Sequence, residues 1–201
     1  MWRNLTWAKA SLCCLAFSSL LTAYVSSAGN NKADRAWKRY RNPSFGYCVN
    51  YPAHWSRGEA FDGGGLFVKT GLAGSARATG EIDIGPLSFP LEDARMRPIN
   101  LIETLADHLD GLRKFERAER LEVLSKEETP FLGQPALFTK NRYYDPLDRA
   151  TWVEEVLFVN RAQTLYRLEL ECRADQLARF EPVFLHLLST FQFDCDTTHQ
   201  P

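Results

Sequence analysis

Residues 165–191 read Leu165-Tyr-Arg-Leu168-Glu-Leu170-Glu-Cys172, then Arg173-Ala-Asp175-Gln-Leu-Ala-Arg-Phe180-Glu-Pro182-Val-Phe184-Leu-His186-Leu187-Leu188-Ser-Thr190-Phe191. The first half changes character at every second residue. Leu168, Leu170 and Cys172 share one side and Glu169 and Glu171 the other, which is the period of a strand with one apolar face. From Asp175 to Thr190 the period lengthens to that of a helix, with Phe180, Phe184, Leu187, Leu188 and Phe191 as its apolar stripe. Pro182 lies inside it, so a break or bend is expected there. A half-apolar strand followed at once by an amphipathic helix needs a sheet with that helix packed on it.

Upstream, three more runs have strand character: 121–128, 135–144 and 151–160. Gly133-Gln134-Pro135 and Asp145-Pro146-Leu147-Asp148 are the turns between them. Such short connections imply antiparallel pairing. Before these runs, Asn100 followed by Glu103 resembles a capping box, and Ile102, Leu105, Ala106, Leu109 and Leu112 continue at helical spacing. Further upstream, strands are expected at 45–51, 65–70 and 81–84. Asp62-Gly63-Gly64-Gly65 is a turn, and 71–80 is a small-residue loop. Three strands, a helix, four strands and a helix make one α+β domain.

The amino terminus differs from this pattern. Arg3 and Lys9 precede an uncharged apolar run at 10–25, and Ser26-Ser27-Ala28 supplies small residues. That layout predicts a secretory signal peptide over 1–28, cleaved after Ala28. An uncleaved anchor is the alternative, but the run has about 16 residues where a spanning helix needs roughly 20. A lipoprotein signal would use Cys13 or Cys14, which open the run rather than close it. Residues 29–43 form a basic polar lead-in. It carries Lys32, Arg35, Lys38, Arg39 and Arg41 against Asp34: a solvated arm, or a small patch for lipid headgroups or an acidic protein. The single domain is expected over 44–196, with a tail at 197–201.

The 201 residues carry 24 Lys+Arg and 25 Asp+Glu, net −1. Without residues 1–28 the chain has 173 residues, and 22 basic side chains stand against 25 acidic ones, net −3. That balance excludes a nucleic-acid binder acting through bulk positive charge. It fits an exported protein, periplasmic or secreted, with no transmembrane segment after signal cleavage.

Three cysteines remain after cleavage, enough for one bridge and one spare thiol. Cys172 points into the core with Leu168 and Leu170, so the expected bridge is Cys48–Cys195, joining the ends of the domain. The alternative is a catalytic Cys48 or Cys172, for which no basic partner stands nearby in the sequence.

The opening Phe45-Gly-Tyr47…Tyr51-Pro52…Trp55 and the closing Tyr166-Arg-Leu168…Phe180-Glu-Pro182-Val-Phe184…Ser189-Thr190-Phe191 resemble the PsbP-like superfamily over residues 44–193. The resemblance implies a three-layer α/β/α sandwich around a seven-stranded, mainly antiparallel sheet of order 1-2-3-7-6-5-4. In that order two strands lie between the strand of Cys172 and the edge strand that carries Cys48, which also favours Cys48–Cys195. His54 before Trp55 departs from the small turn residue expected there. The superfamily mostly binds and positions other proteins, and the resemblance brings no catalytic residue with it.

The residues themselves show little chemistry. His54, His108, His186 and His199 have no metal-ligand spacing among them, and there is no Cys-x-x-Cys, so no metal and no cofactor are expected. No serine lies in a nucleophile elbow, and the Gly63–Gly65 run lacks the Lys of a phosphate loop. Glu154 and Glu155 are neighbours on a strand and face opposite ways. Glu169 and Glu171 share a face, either the polar side of a sheet under a helix or a carboxylate pair in a cleft. Lys140-Asn-Arg142-Tyr143-Tyr144 mixes aromatic and basic residues as contact surfaces do. Arg142, Tyr143 and Tyr144, with His54 and Trp55, are the candidate partner surface, and the 56–64 and 71–80 loops are further candidates. The plainer reading is that the tyrosines cap the sheet edge.

Together these features predict a non-catalytic binding or accessory module of the cell envelope, whose partner is another envelope or secreted protein. The alternatives are an adaptor or inhibitor of a secreted protein, or a carboxylate-based hydrolase.

Overall fold

The computed structural model describes residues 36–59, 63–70, 78–87 and 98–195. They fall in one compact unit spanning Ala36–Pro201. The expected signal peptide at 1–28, the first part of the lead-in, most of the 71–80 loop and the tail lie outside the described residues.

The described residues form nine strands and two α-helices, in the order five strands, helix, four strands, helix. They are β1 (Trp37–Arg41), β2 (Cys48–Pro52), β3 (Ser56–Glu59), β4 (Gly65–Thr70), β5 (Ala78–Pro86), α1 (Leu101–Phe115), β6 (Glu119–Glu128), β7 (Ala136–Asp145), β8 (Ala150–Arg161), β9 (Thr164–Arg173) and α2 (Leu177–Thr190). The protein is α+β. β3 to β9 pair in the order β3-β4-β5-β9-β8-β7-β6, and β1 and β2 form a separate two-stranded ribbon. All these pairs are antiparallel.

The first strand corrects the expected order. The 45–51 run was placed at the edge of the large sheet, but Cys48–Pro52 pairs with Trp37–Arg41 instead, from Trp37↔Pro52 to Arg41↔Cys48. The edge position goes to Ser56–Glu59, which pairs with β4. Neither β1 nor β3 alternates visibly, because each has solvent on most sides. Tyr40 is the one buried residue of β1, and every residue of β3 is exposed. Their strand conformation comes from the partner strand rather than from a hydrophobic face. Part of the expected lead-in is therefore a strand. Its turn is held by Asn42, whose Oδ1 accepts from Ser44 N and Phe45 N at 3.0 Å while its Nδ2 donates to Gly63 O at 2.9 Å.

The two helices meet side chains of opposite parity on the central strands. Leu157, Val159, Leu168 and Leu170 pack with Phe180, Phe184 and Leu187 of α2, together with Tyr47, Phe67, Ile82 and Ile84. Val156, Phe158, Leu137 and Leu165 pack with Leu105 of α1. The β8–β9 hairpin turns on Ala162 and Gln163, at φ 48° and 64°, the positive pair of a tight two-residue turn. Gly80 is required where α2 crosses β5. A Cβ there would lie 2.8 Å from two ring carbons of Phe180.

Both helices refine the sequence reading. Asn100 caps α1, accepting from Ile102 N at 3.0 Å and Glu103 N at 3.3 Å. The inward stripe is rotated from the one expected. Ile102 and Ala106 are exposed, while Leu101, Leu105, His108, Leu109 and Leu112 face the sheet. α2 runs through Pro182 without a break. Phe180 and Phe184 on either side are both anchored in the core, Pro182 lies on the solvent side, and exposed Ala178 leaves its carbonyl to water.

Candidate functional site

The α1 side of the sheet is not a uniform apolar face. Residues 165, 167, 169, 171 and 173 of β9 share it with 152, 154, 156 and 158 of β8 and with 139, 141 and 143 of β7, through pairs such as Val156↔Glu169 and Asn141↔Glu154. Leucines cover one end, and charged groups fill the middle. There His108 of α1 reaches down, its Nε2 2.9 Å from both carboxylate oxygens of Glu154. Asn141 Nδ2 donates to Glu154 Oε2 at 2.9 Å, and Thr139 Oγ1 donates to Asn141 Oδ1 at 3.0 Å. Arg167 places Nε 3.0 Å from Glu169 Oε2 and Nη2 3.0 Å from Asp83 Oδ2. The Arg167–Glu169 contact is close enough for an ion pair, although its angle is too poor for a hydrogen bond.

These contacts drive the two glutamates apart in proton affinity. Burial raises Glu169 to about 7, helped by the Glu154 charge and opposed by Arg167. Burial would also raise Glu154, but the hydrogen bond and charge of His108, with Asn141, hold it below the usual carboxylate value. Burial works against charged His108, yet its contacts with Glu154 outweigh that and raise it. The proton that this pair takes up as pH falls toward 7 therefore goes to Glu169, leaving Glu154 the carboxylate that faces His108.

His108, Glu154 and Glu169 are also the described residues that could hold a cation, with one ligand atom each lying within 4.8 Å of the others. The donor set suits a divalent ion. However, hydrogen bonds from His108 and Asn141 already engage both oxygens of the Glu154 carboxylate, and the Arg167 guanidinium stands where a cation's charge would be opposed. A search by spacing could not find this cluster, because its members come from three elements.

Next to it the Tyr143 hydroxyl donates to Glu171 Oε1. Burial lifts Glu171 to about 8 despite that hydrogen bond. Glu171 is in the floor of a hollow of about 510 Å3, lined also by Glu81, Phe115, Glu116, Arg117, Asp145 and Leu147. Two large apolar side chains stand exposed at it: Phe115, 85% exposed at the end of α1, and Leu147, 73% exposed in the β7–β8 turn. Buried Asp145 shapes that turn, its Oδ1 accepting from Leu147 N at 2.8 Å. On the opposite face, Lys140 Nζ lies 2.7 Å from Glu155 Oε1 and 3.0 Å from Glu181 Oε1. Cys172 is free and buried there, its thiol pushed up by burial to about 12, the reverse of an activated nucleophile.

The five candidate partner residues do not form one surface. Tyr143 is 1% exposed, because its position on β7 turns it under α1 toward Glu171. Trp55 is 7% exposed and packs edge-on to Phe180. These two expectations are corrected: both rings belong to the interior. Arg142 is exposed and pairs with Glu122, its Nη2 2.6 Å from Oε2. Tyr144 is half-buried beneath the Arg120 guanidinium, and His54 is exposed near the far edge of the sheet. Cys48 and Cys195 are joined as a disulfide, with Cα atoms 5.9 Å apart. Backbone hydrogen bonds between Cys48 and Gln192 and from Cys195 N to Gly46 O hold the same junction. Sequence reasoning missed Phe115 and Leu147; the only signal was an apolar residue at the start of a charged run and another in a turn.

No protein-family model and no curated protein matches the sequence. Among solved structures, cyanobacterial PsbP from Synechocystis sp. PCC 6803 superposes with a TM-score of 0.56 at 14% identity, over 84% of this chain and 97% of that one. LpqN of Mycobacterium tuberculosis, described as involved in cell envelope biogenesis, superposes with a TM-score of 0.50 at 11% identity, over 78% of this chain and 90% of that one. The chain has the PsbP-like fold.

Proposed function

We propose that this protein is an exported, non-catalytic binding or accessory module of the cell envelope, built as an α/β/α sandwich, whose partner is another envelope or secreted protein. The observation that carries this reading is the pair of exposed apolar side chains, Phe115 and Leu147, beside the hollow floored by Glu171. A single exposed apolar side chain needs no explanation, but two at the rim of one concavity offer a partner an apolar anchor point. The fold shared with an envelope-biogenesis protein supports the location, as does the signal-like amino terminus. An adaptor or inhibitor would use the same surface and differ only in its partner.

A second reading, a carboxylate-based hydrolase, is favoured by one observation, the split proton affinities of Glu154 and Glu169. Against it, Glu154 is 1% exposed beneath α1, and both its oxygens are engaged. Photo-crosslinking in the native envelope from position 147, with position 142 as control, tests the first reading. A reproducible adduct from 147 that Phe115→Ala abolishes supports it. No reproducible adduct from either position sinks it.

A further inference from the structure

We propose that β1 and the neighbouring edge strand β3 form a docking surface for an anionic lipid-headgroup layer, on the opposite side of the sheet order from α1's partner β7 and the edge strand β6. Between Ala36 and Glu59 the chain carries Lys38, Arg39, Arg41 and Arg57 against a single acid, Glu59. All four cations are exposed, and none takes part in an ion pair among the described residues. Arg39 donates to the neutral Gln192 side chain at 2.8 Å, and Arg57 lies over the Tyr40 ring at 5.3 Å. Both contacts orient a guanidinium without cancelling its charge. Trp37 stands at the end of the same strand, 36% exposed, its ring 3.8 Å from that of His186. An indole with one side packed and one side wet, followed by cations, is the composition of a membrane-interface contact.

A further observation favours lipid as the occupant. β6, at the sheet edge opposite β3, carries Glu119, Glu122, Glu127 and Glu128 against Arg120 and Lys126. A molecule with this asymmetry is turned by an anionic plane so that β1 and β3 face it. Juxtamembrane basic clusters bind anionic leaflets by this attraction, each cation adding a similar increment.

The test is co-sedimentation of the full chain, in whichever processed form the envelope yields, with phosphatidylglycerol/phosphatidylcholine vesicles and with phosphatidylcholine vesicles alone. The readout is the ratio of the two affinities, which cancels any contribution of the apolar run. The expected ratio is well above ten at 50 mM salt and falls toward one at 300 mM. Lys38→Glu with Arg41→Glu should reduce it about tenfold or more. The charge-matched pair Arg113→Glu with Lys126→Glu, on α1 and β6, should leave it within about twofold. A ratio near one for the unaltered chain overturns the proposal, as does an equal loss in both double variants. Binding to polyglutamate but not to the vesicles also overturns it and assigns the strip to an acidic protein. None of these outcomes depends on crosslinks from position 147, so this proposal and the partner reading can fail separately.

Discussion

Glu169 has its carboxyl against Glu154 on one side and Arg167 on the other, and its protonation decides how the α1 side of the sheet responds to pH. A group raised in the folded state contributes stability that is complete below its unfolded value and is lost as pH climbs through the folded one. Glu169, raised to about 7, and Glu171, raised to about 8, therefore both favour the acid side. His108, also raised, acts in the same direction. Glu154, lowered, acts oppositely and gives way only as pH falls below the ordinary carboxylate range. Chemical-denaturation stability should peak near pH 5 and fall by several kcal/mol toward pH 9. Glu169→Gln copies the protonated carboxyl, so it should flatten that fall and be more stable than the parent at pH 8.5. A variant less stable at every pH would mean that Glu169 is ionised and held by Arg167. At Gly80, alanine should cost about 1–3 kcal/mol by forcing the Phe180 ring aside.

Helix α1 is the element on which the candidate site depends, since it holds His108 over Glu154 and ends at Phe115. Its amino terminus rests on the Asn100 cap, and Asn100→Ala should lower stability by about 1 kcal/mol in urea titrations. Ile102→Ala, on the exposed side, should be close to neutral. The contrast is informative, because hydropathy alone ranks Ile102 as the core residue. The cap was legible in the sequence because it is local chemistry. The stripe was misread because His108 and the charges beneath it take positions that apolar periodicity assigns to carbon. Pro182 shows the same limit: an unfavourable residue is carried in α2 because Phe180 and Phe184 bury enough surface around it.

For the whole molecule, the Cys48–Cys195 bridge closes a loop of 147 residues between the start of the fold and the chain beyond α2. Reduction should cost about 4–5 kcal/mol in the chain-entropy description and lower the melting temperature. Cys172 should react with alkylating agents only on unfolding, and a non-reduced peptide map should show it unlinked. The charge asymmetry between β1 and β6 belongs to this scale as well. Composition reports only a small net charge, and its separation appears once the sheet order sets β3, beside β1, and β6 at opposite edges.

By itself the sequence determined the α+β class, the central strands, both helices and the direction of Cys172. Each of these follows from a repeat of two or 3.6 residues, or from a local cap or turn. Tertiary structure alone decided the ribbon of β1 and β2 and the edge role of β3. It also decided the burial of Tyr143 and Trp55, the meeting of His108, Glu154 and Glu169, and the pairing of Phe115 with Leu147 at one hollow. The physical reason is that periodicity specifies which way a side chain leaves its own element, whereas burial, ion pairing and proton affinity depend on what another element brings to that point.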